Sequence, residues 1–118
     1  MIDGVIGVTF LTGDLEHIFV FDNDVLGLPL HSRHGDFNAF GLGDVRFSIG
    51  LHNEVSGASK DPFRFMPHLG ADDIHAEAQR LAQAGVEFIR QPEQASRGGW
   101  VATGKEPDGQ SLHMWQSG

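Results

Sequence analysis

Seven histidines and no cysteine in 118 residues set the chemistry open to this chain. Thiolate nucleophiles, disulfides and cysteine-bound zinc are excluded, so any metal would have to be held by His, Asp or Glu. His113 stands out, because an imidazole with an ordinary pKa of about 6.5 suits general acid or base work at neutral pH. It sits in the run Ser111 to Gln116, where strand alternation sends Ser111, His113 and Trp115 to one side and Leu112 and Met114 to the other. His52 and His68 also fall in strand contexts. His17 and His75 lie in helical stretches and His31 and His34 flank a turn, settings in which most histidines are simply solvated or hydrogen-bonded. No serine occupies a nucleophile elbow, and neither Gly98-Gly99 nor Gly41-Leu42-Gly43 forms a phosphate-cradling loop before a helix. Two lysines in the whole chain leave little basis for Schiff-base chemistry.

These residues need elements to position them. Ile2 to Leu11 is an apolar run rich in branched and aromatic residues, broken by Thr12-Gly13-Asp14, and predicts a buried strand. Asp14 then caps a helix with Leu15, Ile18, Phe19 and Val25 or Leu26 near one face, and Gly27 stops it. Three short strands follow, Leu28 to His34, Asp36 to Leu42 and Val45 to His52, with Gly43-Asp44 as a hairpin turn. Asn53 to Pro62 is polar and reads as a linker. The order then repeats: a strand Phe63 to Gly70, an Asp72-Asp73 cap, a helix with Ile74, Ala78 and Leu81 on one face, a stop at Gly85, and strands Val86 to Arg90, Gly99 to Thr103 and Ser111 to Gln116. Asp14 and Asp73 are 59 residues apart and Gly27 and Gly85 are 58 apart. The chain is therefore an α+β protein of two tandem βαβββ modules, about 1–53 and 63–118, joined by a linker of about 54–62 into one domain.

The bulk composition narrows the partners. A hydrophobic share of 40% with 20% charged residues is that of a folded chain, and the net charge of -8 removes the general attraction to nucleic acid and anionic membranes. The opening MIDGVIGVTFLTGD has no basic n-region, and no apolar run reaches the roughly 18 residues of a membrane span, so a cytoplasmic location is the expectation.

Several stretches match a known pattern. Asp14-Leu15-Glu16 followed by Phe21-Asp22-Asn23-Asp24-Val25-Leu26-Gly27-Leu28 resembles the "DLE…FYxDVLGL" signature of the vicinal oxygen chelate superfamily, with Asp22 in place of the usual Tyr. Ala71-Asp72-Asp73-Ile74, Leu81 to Val86, Gly98-Gly99-Trp100 and Glu106 to Gln110 are similar to its "VDDI", "LxxxGV", "GGW" and "DPDGN" elements. That family contains glyoxalase I, extradiol dioxygenases, fosfomycin resistance enzymes and bleomycin resistance proteins. The resemblance implies a cup-shaped curled mixed sheet with helices outside, a homodimer, and in the metal-dependent members a divalent ion held by one side chain from the first and last strand of each module. The corresponding positions here are Gly7, Gly50, Met66 and His113.

Glycine offers no donor and a thioether suits hard or borderline ions poorly, so only His113 of that set is a plausible ligand. The expectation is a metal-free, cofactor-free binding protein, similar to the bleomycin resistance branch, that sequesters a hydrophobic, aromatic or cationic, antibiotic-like small molecule. Trp100 and Trp115 would stack on the ligand, while Thr9, Ser48, His52, Met66, His68, Ser111 and His113 line the cup and orient its polar edge. In this reading Gly7 and Gly50 enlarge the cavity. The alternative is a lyase, isomerase or dioxygenase using zinc or iron on a displaced site of His52, His68 and His113, the first two lying two residues beyond the vacant positions. A third reading makes His113 a metal-independent general acid or base.

Overall fold

The first strand begins later than its apolar run suggests. In the computed structural model, which describes residues 1–96 and 98–117, β1 spans Gly7–Thr12, and residues 1–6 are exposed and carry no regular structure. Pairing explains the difference. β1 runs parallel to β4, Val45–Leu51, from Gly7 against Arg46 to Thr12 against Leu51, and Ile6 meets β4 only by accepting the Arg46 N–H. Ile2 and Val5 have the composition of a strand but no partner strand to lie against.

The chain divides into two compact units, Met1–Gly57 and Ala58–Gly118. Each carries a four-stranded mixed sheet and one helix in βαβββ order. In the first, the sheet order is β1, β4, β3 (Phe37–Leu42), β2 (Leu30–His34). α1, Leu15–Val20, is capped by the Asp14 carboxylate, which accepts the His17 N–H at 3.2 Å. The helix then widens into a π-helical turn, Phe21–Val25, before Gly27 at φ 70° ends it. α1 packs on β4, and Ile18, Phe19, Phe40, Phe47 and Ile49 form the buried core, with Phe19 stacked on Phe40 and Phe10 tilted against Phe47.

The second unit repeats this plan with sheet order β5 (His68–Gly70), β8 (Ser111–Gln116), β7 (Trp100–Lys105), β6 (Phe88–Gln94). α2, Ile74–Gln83, is capped by Asp73, which accepts the Ala76 N–H at 3.2 Å, and Gly85 at φ 97° follows its end. Ile74, Ala78 and Leu81 are buried together with Ala102, Leu112 and Met114. β5 is only three residues long, and the stretch before it is irregular and partly tied to the β7–β8 turn. Ser59 N–H donates to the Asp108 carbonyl, its hydroxyl donates to Gln110 Oε1, and Gln110 Nε2 donates to the Pro62 carbonyl. The second half of the sequence-predicted linker thus belongs to the second unit.

That turn contains an unusual carboxylate. Glu106 is 6% exposed, and its Oε1 accepts the Gln110 N–H at 2.9 Å. Burial, helped by the nearby Asp108 charge and opposed by the backbone hydrogen bonds, pushes its pKa up to about 7. Among the described residues, no helix is long and apolar enough to cross a membrane.

Candidate functional site

Chemistry concentrates on one face of the second sheet. Register places Arg90 of β6 beside Thr103 of β7, Thr103 beside His113 of β8, and His113 beside His68 of β5. Residues paired across strands share a face, so Arg90, Thr103, His113 and His68 form one row across all four strands. Side-chain contacts agree: Thr103 Oγ1 lies 3.3 Å from His113 Nδ1, and the His113 and His68 rings are 4.5 Å apart between centroids. Trp115 lies on the same face, in register with Val101 and Gly70, and is partly exposed.

His113 is 7% exposed. Burial first, then the neighbouring His68 and the Arg90 guanidinium, hold its pKa below the ordinary histidine value. A neutral imidazole has one N–H donor and one acceptor nitrogen. With Nδ1 engaged by the Thr103 hydroxyl, Nε2 is the nitrogen left for another partner. Arg90 is half exposed, and its ion pair with Glu93, 2.7 Å long, is equally open to solvent.

The other sequence candidates fare differently. Ser111 is on the His113 face but fully buried, and its hydroxyl has no hydrogen-bond partner among the described residues. Trp100 pairs with Gln116, and alternation puts it on the opposite face from Thr103, where it packs edge-on against His75 of α2 at 4.5 Å. It belongs to the helix side of the sheet rather than to the face that carries His113. Met66 precedes β5 and is exposed. The two-residue offset matters, because the residue in register with His113 is His68.

In the first unit the row at the same place is chemically quiet. Thr9 and His68 each stand five residues before their capping aspartates, and Thr9 pairs with Ser48 as His68 pairs with His113. Continuing across the sheet, Ser48 pairs with Ala39 and Ala39 with Ser32. The first unit therefore has Thr9, Ser48, Ala39 and Ser32 where the second has His68, His113, Thr103 and Arg90.

Nor do the first unit's glycines open a cavity. A Cβ on Gly50 would lie 3.3 Å from Leu11 Cδ2 and from Phe37 Cδ2, and one on Gly7 would lie 3.2 Å from the Arg46 carbonyl oxygen. The space is taken by neighbours. His52 lies just past the end of β4, where its Nδ1 accepts the Glu54 N–H at 3.0 Å.

The family's metal position is not met by this donor set. Gly7 and Gly50 are crowded by other groups and Met66 is an exposed thioether outside β5, while the register sets His68, two residues on, beside His113, so two imidazoles meet here and further donors are wanting. Among the described residues, no three His, Asp or Glu side chains gather in a group that could hold a metal. Sequence reasoning missed Arg90 and Thr103, whose membership of the row is visible only in the register, and it missed the buried Glu106. The chance to find Thr103 lay in its strand parity with Gly99 to Thr103, but parity alone does not say which strand lies opposite.

Tandem βαβββ units, each with a helix on one side of a mixed sheet and the second with its polar row on the other side, define a protein of the paired-module class. Residues 5–114 match the Glyoxalase/Bleomycin resistance protein/Dioxygenase superfamily, and the chain belongs to that superfamily. Solved structures share the fold. A protein of unknown function from Agrobacterium tumefaciens str. C58 superposes with a TM-score of 0.83 at 22% identity, over 99% of this chain and 96% of the other. A glyoxalase-related enzyme from Fulvimarina pelagi gives a TM-score of 0.80 at 17% identity, over 98% and 89%. A lactoylglutathione lyase from Agrobacterium tumefaciens gives 0.75 at 18% identity, over 98% and 95%. At these identities the likeness is one of fold. No curated protein sequence matches the chain.

Proposed function

We propose that this chain is a small-molecule binding protein of the glyoxalase and bleomycin resistance type, which holds its ligand by hydrogen bonds and aromatic contact on the second sheet without a metal or other cofactor. The row of Arg90, Thr103, His113 and His68 beside Trp115 carries this reading. Residues i and i+2 on one strand face are roughly 7 Å apart, so a ligand whose ring rests on Trp115 brings a polar edge to His113. The pair of His68 and His113, with glycines at positions 7 and 50 offering no donor, supports binding that does not depend on a metal, and sequestration is the simplest use of such a face.

The test is binding measured with and without chelator on protein purified without an affinity tag. Saturable binding of an aromatic ligand that survives chelation and is lost in both His113→Ala and Trp115→Ala supports the proposal. A stoichiometric divalent metal, lost in His113→Ala, would overturn it in favour of a metal-dependent lyase, isomerase or dioxygenase. The neutral imidazole of His113, with its second nitrogen free, favours one further reading, in which His113 moves a proton on the bound molecule. Turnover that resists chelator and vanishes in His113→Ala while binding persists distinguishes it. In the cell we place the protein in the cytoplasm as a homodimer. Sedimentation at micromolar concentration checks the assembly.

A further inference from the structure

We infer that residues 59–66 form a strap over the edge of β8, clasped by the Gln110 side chain and released as Glu106 loses its proton.

The strap is an extrusion from an edge strand. The Ser111 and His113 N–H groups donate to the Pro62 and Pro67 carbonyls, acceptors five residues apart where a regular parallel strand offers acceptors two apart. Three extra residues are therefore thrown outward, and Phe63 and Phe65 stand 60% and 56% exposed. Those side chains bury little against the sheet, so polar contacts hold the strap in place. Gln110 supplies them. Its Nε2 donates to the Pro62 and Phe65 carbonyls at the two ends of the extrusion, and its Oε1 accepts the Ser59 hydroxyl at 3.0 Å. The Ser59 N–H donates to the Asp108 carbonyl in the same turn. Gln110 is itself held by Glu106, whose Oε1 accepts the Gln110 N–H and whose own N–H donates to the Gln110 carbonyl. The carboxyl thus lies at the root of the clasp.

Two groups at this place are better served by water than by their present surroundings. Glu106 is buried, and the fully buried Ser111 hydroxyl, on the residue after the clasp, has no hydrogen-bond partner among the described residues. Among the described residues no cation pairs with Glu106. Asp108 adds a like charge, Lys105 reaches to Glu87 at 3.5 Å, and Lys60, Asp61 and Arg64 of the strap are exposed, the last two paired with each other. With the strap closed, Glu106 keeps its proton up to about pH 7, whereas once hydrated it titrates near its ordinary 4.5. The closed form binds more protons, so closure is most favoured below about pH 4.5 and weakens as pH rises toward 7. A local opening of this kind needs less free energy than unfolding the whole unit. It bares the Ser111 end of β8, two residues from His113, so access to that end of the second sheet follows pH.

The test is amide hydrogen exchange of the full chain, followed by NMR from pH 5 to 8 and corrected for intrinsic rates, with Ala102 and Met114 in the middle of the β7–β8 pair as references. Protection at Ser59 and Ser111 should stand below that of the references, fall by roughly tenfold per pH unit up to about pH 7, and then level off. Glu106→Gln should keep protection at its low-pH level throughout, and Gln110→Ala should lower it at every pH. Trypsin cleavage after the exposed Arg64 at pH 8 should be slower in Glu106→Gln than in wild type. Protection at Ser59 and Ser111 equal to that at Ala102 and Met114 would overturn the inference, because the strap would then open only with the whole unit. So would a wild-type pH profile that is flat or that coincides with that of Glu106→Gln.

Discussion

Replacing Glu106 by glutamine should make the protein more stable above about pH 4.5, with the full effect from neutral pH upward. Glutamine keeps the oxygen that accepts the Gln110 N–H but carries no charge, so it imitates the protonated acid. In the folded chain the Glu106 pKa stands at about 7, against an ordinary value of 4.5. Below about pH 4.5 the group is protonated both folded and unfolded, and wild type and Glu106→Gln should be equally stable. Between 4.5 and 7 the folded state binds more protons than the unfolded state, so wild-type stability falls as pH rises. Above 7 the buried group is ionised and the penalty is complete. At roughly 1.4 kcal/mol per pKa unit, the difference reaches about 3 kcal/mol, which in a chain of this size moves the melting temperature by roughly 10 °C. Urea denaturation followed by circular dichroism at several pH values from 4 to 8.5, on both proteins, measures it. Subtracting one curve from the other cancels the remaining carboxylates. A difference that stays flat with pH, or a variant less stable than wild type at pH 8.5, would refute the assignment of a buried, reluctant charge.

Three further outcomes follow from single groups. Ser111→Ala should stabilise by about 1 kcal/mol in urea denaturation, because it removes a fully buried hydroxyl that has no hydrogen-bond partner among the described residues. Asp73→Ala should cost about 1 kcal/mol by the same measurement, through loss of the cap on Ala76 N–H, and Asp73→Asn should recover most of it. A histidine ring titration by NMR should place His113 below the ordinary histidine pKa, and Arg90→Gln should raise it. The stability that His113 contributes by staying neutral is full above the ordinary value and is lost as pH falls below it.

The duplicated frame was legible in the sequence because its markers act locally. Asp14 and Asp73 bond to amides three residues on, and Gly27 and Gly85 take backbone angles suited to glycine, so their spacing alone exposes the repeat. The strand Ser111–Gln116 was equally plain from its alternation. What escaped depends on partners distant in sequence. Ile2 to Ile6 has the composition of a strand, but strand length is decided by how far β4 extends alongside. Trp100 was expected to stack on a ligand, yet its face is fixed by pairing with Gln116, and it ends against His75. Arg90 lies between two register shifts in the β6–β7 pair, so no alternation rule applied to β6 alone would align it with Thr103. Gly50 was expected to widen a cavity, but Leu11 and Phe37 close over it from adjacent strands.

The correspondence in position between Thr9, Ser48, Ala39 and Ser32 of one unit and His68, His113, Thr103 and Arg90 of the other gives the molecule a built-in blank. Both units keep the same scaffold while only the second carries imidazoles and a guanidinium in this row, so under the proposed function one repeat serves as framework and the other meets the ligand. The blank is also an opening for engineering. Installing histidine at Thr9 and Ser48, where the neighbours across the strands are small, would write the second unit's pair into the first and ask whether position on the sheet is enough to create a second site.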